Sequence, residues 1–93
     1  MSNYRVEVLH DVAQRKFVIN LSESEQAYLS YRLDESSQSV DFVSTFVPPS
    51  LRGGGLAAQL VDVGFAWADA AGLSITASCW YADRALQRRT RGG

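Results

Sequence analysis

Val47-Pro48-Pro49-Ser50-Leu51-Arg52-Gly53-Gly54-Gly55-Leu56-Ala57 is the stretch on which the fold turns. Before it the apolar residues recur every second position, and after it they recur at helical spacing. Pro48 and Pro49 end a strand, because neither can donate to a ladder. Leu56, Leu60, Val63 and Trp67 then form an apolar stripe, widened by Ala57, Val61, Ala68 and Ala71, with Gln59, Asp62 and Asp69 on the wet side. Between strand and helix lie three glycines, whose missing Cβ atoms allow a tight turn and the close approach of a ligand to the backbone. The first N–H groups of a helix have no internal partners, and the dipole makes that end positive. Arg52, Gly53, Gly54, Gly55, Leu56 and Ala57 are therefore the candidate cradle for a phosphate or pyrophosphate, with Arg52 offering a bidentate contact. A glycine triplet alone is equally an ordinary turn. It is not a Walker A loop, which needs Lys followed by Ser or Thr, and no acidic residue follows about 20 positions on, as a dinucleotide fingerprint requires.

Working upstream, Tyr4 to Leu9 and Phe17 to Leu21 alternate as two half-buried strands, joined by a polar stretch in which His10 reads as a solvated turn residue. Ala27, Leu29, Tyr31 and Leu33 mark a third strand. Val40 to Val47 is a fourth, and its apolar residues fall on both parities, which predicts a strand covered on both faces. Downstream, Gly72 suits the left-handed position after a helix. Leu73, Ile75 and Ala77 make a fifth strand, and Ala82 to Arg89 a final helix. The expected fold is α/β in the α+β sense, in the order β-β-β-β-α-β-α: a mixed, mostly antiparallel five-stranded sheet whose fourth and fifth strands are parallel and splayed, with a right-handed crossover.

Ninety-three residues, 46% of them hydrophobic, leave room for one core, so residues 1–93 are expected to form a single domain. One Cys makes no internal disulfide, and no apolar run approaches the roughly 20 residues of a membrane-spanning helix. No signal-peptide pattern opens the chain, so a cytoplasmic setting away from membranes is expected. With only Cys79 and His10 as soft or borderline ligands, no metal is expected. All ten acids lie at or before Asp83, whereas Arg84, Arg88, Arg89 and Arg91 follow it. That basic tail reads as a solvated end or as an anion holder. Nucleic acid is not an expected partner, because the body is acidic and no basic patch interleaves with aromatics.

Taken together, Phe17, Ala27, Leu29, Tyr31, Thr45, Val47, Pro48, Leu51, Arg52, Gly53, Gly55, Leu56, Ala57, Leu60 and Val61, then Trp67, Ala68, Gly72, Leu73, Cys79, Tyr81 and Leu86, carry a family likeness. The chain resembles a minimal GNAT-superfamily N-acetyltransferase of the short bacterial YjdJ-type branch. The resemblance implies an acyl-CoA-binding domain that moves an acetyl group from acetyl-CoA, as co-substrate, to a small-molecule or peptide amine by direct attack. It places the coenzyme A pyrophosphate on a Q/R-x-x-G-x-G/A motif, here Ser50 to Gly55 with Ser50 in the leading position. It assigns the pantetheine arm to the fourth strand at Thr45, Phe46 and Val47. Arg84, with Arg88 and Arg89 on the same helical face, would meet the ribose phosphate or diphosphate. Cys79 and Tyr81 become candidate proton donors to the departing thiolate. On the residues alone, Cys79 reads as a small buried hydrophobe and Tyr81 as a core aromatic.

Two departures stand out. Ser44, Thr45, Phe46 replace a His-Thr-Glu run, and Arg89-Thr90-Arg91-Gly92-Gly93 replaces a His-Pro-Glu-Tyr type ending. The loss of imidazole and carboxylate supports a second reading, a non-catalytic module that binds coenzyme A or a protein. Pairing into a homodimer is a further expectation for a sheet this small.

Overall fold

The computed structural model describes residues 6–92. Along them run β1 (Leu9–Asp11), β2 (Lys16–Asn20), β3 (Gln26–Asp34), β4 (Ser39–Phe46), a 3-10 turn (Pro49–Leu51), α1 (Leu56–Ala70), β5 (Ser74–Ala77) and α2 (Trp80–Gly92). The sheet order is β1-β2-β3-β4-β5, antiparallel throughout except for the parallel β4–β5 pair. This is the mixed five-stranded α+β architecture that the change of period predicts.

The first strand departs from expectation. Tyr4 and Arg5 lie outside the described residues, and β1 begins only at Leu9. The turn that follows is shorter than the polar stretch: Asp11 Oδ1 accepts the amide of Gln14 at 3.1 Å, and Val12 O accepts that of Arg15 at 3.2 Å, so the strand runs on to Asp11. The alternation therefore carries on into the ladder, where His10 faces Phe17. His10 is a half-buried strand residue rather than a solvated one. Its ring stacks on Phe17 at 4.2 Å, meets Trp67 edge-on at 5.0 Å, and places Nε2 2.6 Å from the Tyr31 hydroxyl.

Nor is β4 covered on both faces. Tyr31 pairs with Phe42 and Ser30 with Ser44, so Val43 is an extra residue, a bulge that reverses the alternation. Before it Val40 and Phe42 face the helices; after it Thr45 and Val47 do. The opposite face carries Tyr28, Ser30, Arg32, Asp41, Ser44 and Phe46. Both parities are apolar because the strand changes phase.

Phe17, Ile19, Ala27, Leu29, Tyr31, Val40, Phe42 and Val47 form one core with Leu60, Val61, Phe65 and Ala68 of α1 and Ala82 of α2. The buried face of α1 is centred on Gly64, not on Val63, which is 39% exposed. A Cβ at Gly64 would come within 3.0 Å of Leu29 Cδ2 and of Phe42 Cε1, so the bare backbone lets the helix settle on the sheet. At the other end of the chain, α2 starts two residues before its expected boundary, because Cys79 O accepts the Asp83 amide at 2.8 Å.

Candidate active site: a cleft where two strands part

Pairing between β4 and β5 runs from Ser39 with Ser74 to Phe42 with Ala77. The amides of Ser78 and Cys79 then both donate to Phe42 O at 3.0 Å, and that is the last bond of the ladder. Beyond it β4 continues to Phe46 with β3 on one side only, while the chain leaving β5 turns into α2. The two strands part. The resulting cleft, of about 530 Å³, is bordered by Thr45 of β4 and Val47 just after it, by Leu51 and the loop behind it, by the first turn of α1, and by Cys79, Trp80 and Tyr81.

The loop owes its form to its glycines. Gly53 and Gly55 both have φ near +87°, a region that costs other L-residues about 1–2 kcal/mol. Gly55 is the N-cap of α1 and brings no side chain to it. A Cβ at Gly53 or Gly55 would meet nothing within 4 Å, so both look onto open space in the cleft. The unsatisfied amides at the start of α1 border that space, as an anion cradle requires. Arg52 is anchored beside them: its Nε donates to Val47 O at 2.9 Å, leaving the two terminal nitrogens of the guanidinium for a ligand.

At the inner end, Cys79 Sγ lies 3.2 Å from Thr45 Oγ1, and the thiol is half-buried. Tyr81 borders the cleft beside it. Trp80 stands 70% exposed at the mouth, edge-on to Tyr81 at 5.9 Å.

Of the residues singled out in the sequence, Thr45, Val47, Arg52, Gly53, Gly55, Leu56, Ala57, Cys79 and Tyr81 border this one cleft. Three others do not. The Phe46 ring lies on the opposite face of the sheet against Tyr28, at 5.6 Å, and leaves only its backbone to the parted edge. Gly54 faces back toward Leu51 O. Arg84 is exposed on α2, away from the lining. The expected basic face of α2 is divided, because Arg89 pairs with Asp69 at 2.9 Å and covers the Phe65 ring at 5.1 Å. Of the remaining walls, Leu51 and Ala58 have no such role in the sequence reading, whereas Trp80 reads there as packing or a pocket wall rather than chemistry. Ala58 could have been found from its place three residues after the helix cap.

The cleft thus joins uncapped amides and a guanidinium for an anion, a parted strand edge for an extended amide-bearing chain, and a thiol–hydroxyl pair able to give a proton. Among the described residues no His, Asp or Glu borders it. Among the described residues no group of three or more His, Cys, Asp or Glu could hold a metal ion, and no helix is long and apolar enough to cross a membrane. The family described as GCN5-related N-acetyl-transferase matches residues 16–91, which takes in every element from β2 through most of α2.

Proposed function

This chain belongs to the GCN5-related N-acetyltransferase family, and from that we propose that it transfers an acetyl group from acetyl-CoA to an amine by direct attack. The observation that carries the reading is the parting of β4 and β5 beside the glycine loop, which makes one cleft of the strand edge, the anion cradle and the Cys79–Thr45 pair.

Acetyl-CoA would bring an acyl group already activated as a thioester. In this reading the amides around Gly53, Gly55, Leu56 and Ala57, with Arg52, hold the pyrophosphate. The free edge of β4 from Val43 to Phe46, with Val47 just beyond it, hydrogen-bonds the pantetheine arm, and one of its N–H groups polarises the thioester oxygen. Cys79, oriented by the Thr45 hydroxyl, gives a proton to the departing thiolate, with Tyr81 as the second donor. The glycines fit the cofactor because their missing Cβ atoms leave the cradle open. The same reading takes in the short bacterial YjdJ-type branch and a cytoplasmic setting.

Calorimetric titration of the protein with acetyl-CoA and with desulfo-CoA is the test, followed by mass spectrometry for acetylated product across an amine panel. Heat and a thermal shift followed by turnover support the transferase. No heat and no shift with either ligand reject it. A second reading, a non-catalytic coenzyme A-binding module, is favoured by a cleft lined, among the described residues, by no His, Asp or Glu. Binding without turnover would select it.

A further inference from the structure

On the helix-free face of the sheet lies a second, broader hollow of about 800 Å³, bordered among others by Arg15, Arg32, Glu35, Asp41, Thr76 and Ser78. Its position matters. Asp41 sits in register with Thr76, one residue before the Phe42 carbonyl at which β4 and β5 part. Ser78, whose amide shares that carbonyl with the amide of Cys79, points its hydroxyl the other way. The hollow and the cleft therefore approach the same fork from opposite faces of the sheet.

Within the hollow the Asp41 carboxylate is held fast, with Oδ1 accepting from Thr76 Oγ1 at 3.0 Å and Oδ2 from Ser78 Oγ at 2.6 Å. Arg32 faces Asp41 across the β3–β4 register, yet the two form no ion pair; among the described residues Arg89–Asp69 is the pair observed. Asp34, at the rim, is turned into its own loop, where Oδ1 accepts from Ser36 and Ser37. Two guanidiniums and the carboxylates of Asp41 and Glu35 thus line one space without neutralising each other. An oligoamine would meet Arg15 and Arg32, and a simple acid would meet Asp41 and Glu35. A small molecule carrying both an ammonium and a carboxylate meets neither repulsion.

We propose that this hollow binds a free amino-carboxylate zwitterion, an amino acid or the like, as the acetyl acceptor. Asp41 holds its ammonium at the fork, and Arg32 and Arg15 hold its carboxylate. The assignment rests on the acetyl-transfer reading above. In the step it implies, the ammonium releases one proton to water, the amine nitrogen bonds to the acyl carbon as the carbon–sulfur bond breaks, and the nitrogen's second proton leaves as the thiolate gains one. The products are an N-acetyl amino acid, a free thiol and one proton.

The test pairs each amino acid with its decarboxylated amine, such as glycine with methylamine and L-lysine with cadaverine, by NMR shift mapping on the full chain saturated with unreactive desulfo-CoA. Saturable shifts at the amides of Arg32, Asp41 and Ser78, with at least one zwitterion binding about tenfold tighter than its amine, are expected. Arg32→Gln, an exposed substitution, should erase that difference, and Asp41→Asn should weaken both members of the pair, while acetyl-CoA affinity by calorimetry is unchanged. Equal affinity for amine and zwitterion, or no zwitterion shifting these amides, would overturn the assignment. Failure of acetyl-CoA itself to bind would instead strike the transferase reading, and the calorimetric arm separates the two.

Discussion

Thr45 Oγ1 lies 3.2 Å from Cys79 Sγ, a contact between residues 34 positions apart that spans the gap left by the parting of β4 and β5. A thiol at the start of a helix is otherwise free to rotate. Here a hydroxyl from the facing strand selects its orientation toward the cleft.

If that thiol protonates the leaving group, Cys79→Ala should lower kcat by about a hundredfold while leaving acetyl-CoA affinity within a factor of about two. Thr45→Val, which leaves the thiol but removes its partner, should fall between. Steady-state rates and calorimetric Kd measured on the same preparations check both. An unchanged kcat in Cys79→Ala would transfer the proton-donating role to Tyr81.

The glycine loop separates strain from ligand contact. Asn tolerates left-handed backbone better than other residues with a Cβ, so Gly55→Asn should keep the fold within about 1–2 kcal/mol while its side chain enters the open space before the amides. Acetyl-CoA affinity should drop by at least about tenfold. Gly54→Ala, outside the lining, should bind as the parent does. Equal losses at both positions would mark the loop as a turn and nothing more.

At Gly64 the balance is steric. An alanine there gains about 1 kcal/mol of helix propensity but meets two fully buried side chains at 3.0 Å, and overpacking of that kind costs about 1–3 kcal/mol. A net loss is expected, read as a lower Tm, and Gly64→Leu should unfold the chain. A stabilised Gly64→Ala would show that α1 can lift from the sheet without penalty.

Burial holds the His10 imidazole below its ordinary value of 6.5, against the opposing pull of the Asp11 carboxylate. Above that value the ring is neutral whether the chain is folded or not. As pH falls through it, the unfolded chain takes up the proton first, so stability declines until the folded ring charges as well and then levels off. Urea midpoints from about pH 8 to about pH 5 should show that decline, and His10→Gln should flatten it. His10 is the only histidine, so one ring resonance reports its titration directly.

Most of the architecture can be read from periodicity. β3, β4, α1 and β5 begin and end within one residue of the apolar runs that announce them, because each buries a single face. What escapes is whatever depends on a partner distant in sequence. The hydroxyl of Tyr31 and the ring of Trp67 draw His10 into the core, and nothing within its own neighbourhood announces them. Asp69 claims Arg89 from another helix. In the site, the cradle follows from three glycines ahead of a helical stripe, whereas the hollow under Asp41 exists only once β3, β4 and β5 lie side by side. The α1 stripe misleads at Val63 because a glycine scores as no apolar residue at all, though at Gly64 it allows the closest packing of the helix.

Val43 sets the handedness of the reactive half of β4. Were it to pair in the ladder as an ordinary residue instead of bulging out, every later residue would turn over: Thr45 and Val47 would look to solvent, and the Phe46 ring would enter the space that the cleft occupies. The side chains required for chemistry would all still be present in the chain. Activity in this sheet is therefore far more exposed to a one-residue slip in the pairing of β4 than to most exchanges of one side chain for another.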